Sequence, residues 1–298
     1  MRPVFQRLTK EPEEGFLFLG VRNPGFNCPW EVHPEHELIL VLRGHGYRIV
    51  GDNVASVGPG DMVFVAAGLP HLWHEERAKG AQAGEALVIQ FAEGFLGEGL
   101  LKLPALEPVR RFLRNAERGL QIMGPTCKRI RLLMKKMDRS KGLDRIVQFL
   151  QVLNCLADSK DCHPIASPDF VANRQLYDQE RMDRVFQFLT SHLERDIRLR
   201  EAAKLANLSD SAFSRFFRGH TGKTFPQFVN ELRIGRACRL LTEGEKNITE
   251  VAFECGFSNL SNFNRQFHRL KGVSPREFRC QVQGWLLGHK GARGQKRP

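Results

Sequence analysis

The sequence predicts an α+β chain: an N-terminal β-barrel or sandwich with a helical extension, then an all-α C-terminal part of two helix-turn-helix units. Three observations carry this. Short apolar runs separated by turn formers crowd residues 15–91, helical periodicity takes over after Pro104, and residues 203–278 contain an internal duplication. The boundaries that follow are 1–104 for the barrel, 105–158 for the helical extension and 159–180 for a linker. Residues 181–283 form the tandem helix-turn-helix part, and 284–298 a basic tail.

The strand signals come first. Leu38–Leu42 and Met62–Val65 are compact apolar runs, and Tyr47–Val50 and Ala86–Phe91 are further candidates. Gly44, Gly46, Gly51-Asp52-Asn53 and Pro59-Gly60-Asp61 lie between them and favour tight turns. Many short strands at close spacing imply a small barrel or sandwich.

The helical extension follows. Pro108 and Pro125 suit the first turns of helices near 107–119 and 125–137. Ile146, Phe149, Leu150, Leu153 and Leu156 then repeat with helical spacing and mark an apolar stripe. These helices could cover their own barrel, pair with a second copy, or do both. Residues 157–173 hold two prolines and little periodicity, as an interdomain linker would.

Charge is distributed unevenly. Residues 181–298 hold 22 Lys and Arg against 11 Asp and Glu, whereas residues 1–180 hold 23 against 22. Nearly the whole net charge of +12 thus sits in the C-terminal part, which suggests a polyanionic partner there, the alternative being a merely solvated basic surface. The longest apolar run is too short for a membrane span, which needs about 20 residues. The opening residues lack the apolar core of a signal peptide. Seven scattered cysteines without a Cys-x-x-Cys pair argue against a disulfide framework or a structural zinc site. Reduced thiols in a cytoplasmic protein are the expectation.

The duplication is the most informative feature. Phe213, Arg215, Phe217, Gly222, Thr224 and Phe228 recur fifty residues later as Phe263, Arg265, Phe267, Gly272, Ser274 and Phe278. Each unit reads as short helix, tight turn, second helix, with Asn207-Leu208 as the first turn and Gly256 closing the helix before the second. Ser209, and Ser258 or Asn259, are the caps of the second helices. Within 209–219, Phe213, Phe216 and Phe217 share one face, leaving Ser211, Ser214, Arg215 and Arg218 on the other. Within 258–270, Phe263, Phe267 and Leu270 are the apolar face, opposite Ser261, Asn264, Arg265 and His268. These polar rows contain no carboxylate. Arg pairs with guanine, Asn with adenine and Ser with either, so the rows suit the major groove of double-stranded DNA. A helix over 225–241, about 25 Å long, would hold the two readers roughly one DNA turn apart.

The segments LSDSAFSRFFRGHTGKTFPQFVNELRIGRACRLL (208–241) and ITEVAFECGFSNLSNFNRQFHRLKGVSPREFR (248–279) resemble the AraC/XylS-type DNA-binding domain. The resemblance implies base contacts from Ser211, Ser214 and Arg215, then from Leu260, Ser261, Asn264 and Arg265. It adds Leu260, an apolar neighbour for a thymine methyl. It also implies a transcription regulator working with RNA polymerase, an activator at direct-repeat sites more readily than a repressor.

PWEVHPEHELILVLRGHG (29–46) and VGPGDMVFVAAGLPHLWH (57–74) resemble the cupin barrel carried by many such regulators. Metal-binding cupins take three ligands from the first motif and one from the second. The matching positions are Glu31, His33, Glu37 and His71, with Glu in place of the first His; His36 and His74 lie nearby. Such a set suits Fe, Mn or Zn, yet hydrogen-bonded pocket lining explains it too. The expectation is no cofactor and an effector pocket for a small molecule such as a sugar, lined by Trp30, His33, Glu37, Arg43, His71 and Trp73. The competing reading is a cupin enzyme fused to a DNA-binding tail.

Overall fold

The computed structural model describes residues 15–22, 26–77, 81–92, 94–95, 99–170, 179–243 and 246–280. The chain divides into two units, Met1–Asp183 with Gly219–Gly222, and Arg184–Arg218 with Lys223–Pro298.

The first unit is built on two antiparallel sheets. Strands β1 (Leu17–Val21), β3 (His36–Arg43), β6 (Met62–Val65) and β8 (Glu85–Phe91) join β9 (Leu120–Ile122) and β10 (Cys162–Pro164) in the larger sheet, ordered β1-β8-β3-β6-β9-β10. The smaller sheet is β2 (Cys28–Glu31), β7 (His71–Glu75), β4 (Gly46–Val50) and β5 (Asn53–Val57), in that order. The barrel is therefore a two-sheet sandwich, with no ladder joining the sheets among the described residues.

The unbroken apolar runs now have a cause: the larger sheet is covered on both faces. Ile39, Val41, Val63, Val65, Ala86 and Val88 face inward against Cys28, Val50 and Trp73 of the smaller sheet. Leu38, Leu40, Met62, Phe64, Leu87 and Ile89 point the other way, into a core shared with three helices. Those helices are α1 (Glu107–Asn115), α2 (Gly124–Met137) and α3 (Gly142–Ala157). They contribute Phe112, Ile130, Met134, Phe149 and Leu153 to that core, so the extension covers its own domain. Pro108 and Pro125 sit in the first turns of α1 and α2, where a missing N–H costs nothing.

Two expectations change. The first helix ends at Asn115, and Leu120–Ile122 turns back as a strand against Val63 and Phe64, burying Leu120 and Ile122. The linker expected from 159 begins later, because Cys162–Pro164 pairs with that same strand and Ala166 is buried. The Ser167 N–H also donates to Asp52 Oδ1 at 2.9 Å. An edge strand tolerates Pro164, which has no donor to offer the sheet. Residues 171–178 of the linker, and the tail at 284–298, lie outside the described residues.

The second unit is helical: α4 (Gln179–Ser191), α5 (Leu199–Leu205), α6 (Asp210–Thr221), α7 (Phe225–Glu243), α8 (Ile248–Glu254) and α9 (Leu260–Lys271). Phe186, Phe213, Phe217, Phe225 and Phe228 form an aromatic cluster under the first helix-turn-helix, with neighbouring rings 5.3–6.4 Å apart. The second unit's core joins Ile234, Ala237 and Leu241 of α7 to Val251, Phe257, Phe263 and Phe267.

Candidate functional site

The two helix-turn-helix units use different turn chemistry for one geometry. In the first, Asn207 takes the left-handed conformation at φ 55°, and Ser209 Oγ accepts from the Ala212 N–H. In the second, Gly256 does so at φ 82°, and Asn259 Oδ1 accepts from the Asn262 N–H at 2.8 Å. Asn and Gly are the residues that reach this region at least cost. Of the two caps open for the second helix, Asn259 makes the bond. Asn247 caps α8 by accepting from the Glu250 N–H, and the Glu250 side chain accepts from the Asn247 N–H in return.

The consequence appears along α6 and α9. Residues 211–219 and 261–269 carry the same burial pattern position by position. Phe213 and Phe217, like Phe263 and Phe267, are fully buried. Ser211, Ser214, Arg215 and Arg218 are all exposed, as are Ser261, Asn264, Arg265 and His268. Phe216, Leu260 and Leu270 are half-buried, and both Leu260 and Leu270 pack against the core of the second helix-turn-helix. Ser214 Oγ donates back to the Asp210 carbonyl at 2.8 Å. Asp210 is the exposed counterpart of Leu260, a carboxylate at the entry of the first helix that the second lacks.

The second candidate site lies at one end of the sandwich, where β2, β3 and β7 meet. One ligand atom each from Glu31, His33, Glu37 and His71 falls within 4.8 Å of the others. His71 Nε2 is 3.4 Å from Glu31 Oε1, and His33 Nε2 is 3.5 Å from Glu37 Oε2. Both imidazoles are anchored from behind, Nδ1 of His33 on the Glu35 carbonyl at 3.0 Å and Nδ1 of His71 on the Leu69 carbonyl at 2.8 Å. Each Nε2 is buried without a hydrogen-bond partner among the described residues. Carbonyl anchors of this kind select the tautomer that presents Nε2.

Two residues that the sequence did not single out complete the cluster. Gln90 Nε2 donates to Glu37 Oε2 at 2.7 Å, and the Cys28 thiol donates to Glu31 Oε1 at 2.9 Å. The Gln90 contact was not legible, because only strand register brings β8 beside β3, whereas Cys28 stands three residues before Glu31 on β2 itself. Burial opposes charge on His71, but the Glu31 and Glu37 carboxylates outweigh it and raise its pKa. Burial likewise works against the Glu31 carboxylate, and His71 overcomes it to leave that pKa lowered. Burial also pushes the Cys28 thiol well up. The donor set, two presented imidazoles and two held carboxylates, fits a divalent cation.

The six expected effector residues are not all brought together. Trp73 stands beside His71, ring centroids 5.5 Å apart, and its buried indole N–H has no acceptor among the described residues. Trp30 is buried on β2, where the pairing with β7 is irregular between Cys28 and Glu31. Arg43 departs from the set. It lies at the far end of β3, about 20 Å from Glu37 at the usual strand rise, and it binds the Ala83 carbonyl and Glu85 in the open. His36 and His74 also point elsewhere. His36 packs on Phe64 and Phe91 in the outer core and accepts from the Ala67 N–H, while His74 stacks on Tyr47.

Comparison with known proteins agrees with both halves. A family profile described as a helix-turn-helix domain matches residues 202–281, and one described as a cupin domain matches residues 19–89. The transcriptional activator RhaS of Salmonella arizonae is 24% identical over 273 residues, covering 87% of this chain and 90% of that one. The activator RhaR of Pectobacterium carotovorum subsp. carotovorum is 24% identical over 268 residues, 90% and 91% of the two chains. The chain is an AraC-family regulator with an N-terminal cupin domain.

As an AraC-family regulator it is a DNA-binding transcription factor, and α6 and α9 are the second helices of its two helix-turn-helix units. The cupin match ends two residues before Phe91, so α1–α3 are an addition to the cupin core. No helix among the described residues is long and apolar enough to cross a membrane.

Proposed function

We propose that this AraC-family regulator is an effector-responsive activator that reads two successive major grooves with α6 and α9. The matching exposure pattern of the two helices is the observation that carries the reading. Ser211, Ser214, Arg215, Ser261, Asn264 and Arg265 meet base edges in this reading, with Leu260 against a thymine methyl. Arg218 and His268, one turn further on, meet phosphates or the flanking base pair. RNA polymerase is the downstream partner of an activator, and RhaS and RhaR carry that description by name.

The cupin half then works as a sensor rather than a catalyst. The presented Nε2 atoms of His33 and His71, the Trp73 N–H and two carboxylates suit a small polyhydroxylated molecule such as a sugar. Such a ligand shifts the DNA-binding state only if it binds two arrangements of the protein with different affinity. A second reading of the same cluster is favoured by its donor set. There Glu31, His33, Glu37 and His71 hold a divalent cation, which would supply a Lewis-acidic anchor for the effector's oxygens.

Selection of bound duplexes from random-sequence DNA by the full-length protein tests the DNA reading. The expected product is a site with two blocks of base preference, and enrichment without base preference would refute it. Thermal-shift measurement with a sugar panel, in parallel with metal analysis, separates sensor from metal centre. Turnover of any of those sugars would instead favour the enzyme.

A further inference from the structure

The duplicated halves of the DNA-binding part are fastened to each other by a seam away from the DNA-reading faces. We propose that Arg233, on α7, is a positioning residue that sets the separation and angle of α6 and α9. It would thereby fix the spacing of the two DNA segments; this rests on the two-groove reading above.

The guanidinium of Arg233 donates from Nε to the Leu193 carbonyl at 3.1 Å and from Nη2 to the Arg195 carbonyl at 2.7 Å. Both carbonyls belong to the loop between α4 and α5, on the first unit's side. On the other side the same group lies over the Phe257 ring, 5.8 Å from its centroid, in the turn of the second unit. The seam has no slack at Gly256, where a Cβ would stand 2.1 Å from the Leu193 carbonyl oxygen and 3.0 Å from Arg233 Nε and Nη2. One turn along α7, Arg236 reaches both sides as well, 3.8 Å from Glu194 and 4.0 Å from Glu254.

From this seam a continuous path runs to each reader. The loop is tied to α5 by Arg195, which binds both carboxylate oxygens of Glu201 at 2.9 and 3.2 Å, and Glu201 in turn accepts from the Arg198 N–H. The Leu208 N–H bonds the Ala203 carbonyl and so fixes the entry to α6. In the other direction Phe257 packs on Phe263 of α9, centroids 5.2 Å apart. A planar fork that donates twice and lies on an aromatic face is work for Arg that Lys cannot copy. One base-pair step is only about 3.4 Å of rise and about 35° of rotation. A loosened seam can absorb that.

The test is selection from a random-sequence duplex pool by full-length wild type, Arg233→Met and Arg233→Lys, with circular dichroism melts to confirm folding. Wild type is expected to return two blocks at a single spacing. The variants are expected to return the same block sequences at that spacing and at spacings one base pair shorter and longer. Inserting one base pair should cost wild type roughly tenfold or more in affinity and the variants under about threefold. Should Arg233→Met fail to fold, the lysine variant decides. Variants that keep the single spacing overturn the role of Arg233 and leave the two-groove reading standing. A wild-type pool without two blocks overturns that reading and the role together.

Discussion

The Arg265 guanidinium donates to the Asn262 side-chain oxygen at 3.0 Å, one turn back on α9. The first unit has no equivalent, since the position before Arg215 by the same step is Ala212. Arg265 is therefore held toward one direction, and Arg215 is not braced in this way. Preorganised donors lose less side-chain entropy on binding.

Arg265→Ala and Arg215→Ala should each cost about 1–3 kcal/mol of specific binding and relax preference at one base pair. Asn262→Ala should cost less and act on the base pair that Arg265 reads. Combined with Arg265→Ala, it should add little, because the brace has then lost what it holds. Fluorescence anisotropy against single-base-pair variants of a selected site measures all of these. A loss uniform across sequences would mean that the arginine touches phosphate instead.

The two turns should respond oppositely to substitution. Asn207→Gly keeps the left-handed conformation and should change stability by less than about 1 kcal/mol. Gly256→Ala meets both the left-handed penalty of about 1–2 kcal/mol and a Cβ 2.1 Å from the Leu193 carbonyl oxygen. It should destabilise the second unit by more than the conformational penalty alone. Amide exchange along α8 and α9 reads this out, and equal effects at the two turns would contradict it.

Much of this was legible in the chain because helix-turn-helix faces depend on local spacing. Phe213, Phe217, Phe263 and Phe267 declare the buried side, and the polar rows follow from 3.6 residues per turn. The sandwich was legible only in part. Met62–Val65 marks its strand to the residue, because a strand buried on both faces is a continuous apolar run. Leu120–Ile122 and Cys162–Pro164 were missed, since three-residue strands have no periodicity to detect and depend on partners far along the chain. Arg43 was misassigned for a related reason. The run of β3 from Glu37 to Arg43 carries it away, whereas sequence proximity alone grouped them.

Leu132 on α2 and Leu143 and Val147 on α3 are exposed at 64%, 74% and 45%. We propose that a second copy covers them, so that these helices serve their own domain and a partner at once. Leu143→Glu and Val147→Glu should leave the fold intact, as exposed positions usually change stability by no more than about 0.5 kcal/mol. They should convert dimers to monomers in sedimentation velocity. Wild type sedimenting as a monomer at high concentration would dispose of the proposal.

Cation binding at the histidine–carboxylate cluster should strengthen with pH. The raised pKa of His71 keeps a proton on the empty site at pH values where a free imidazole has lost it. That proton contributes stability to the cation-free protein fully below about pH 6.5, the unfolded value, and the contribution fades as pH rises through the raised pKa. A cation needs the neutral ring, so it must displace this proton, and affinity should climb by up to about tenfold per pH unit in that window. Isothermal titration with zinc or manganese in two buffers of different ionisation heat should show a proton released. Gln90→Leu frees the Glu37 carboxylate and should lower affinity by about 10–100-fold, while His71→Ala should abolish both binding and proton release. Affinity that stays flat with pH in wild type would mean that the Glu31–His71 pair is not what the cation displaces.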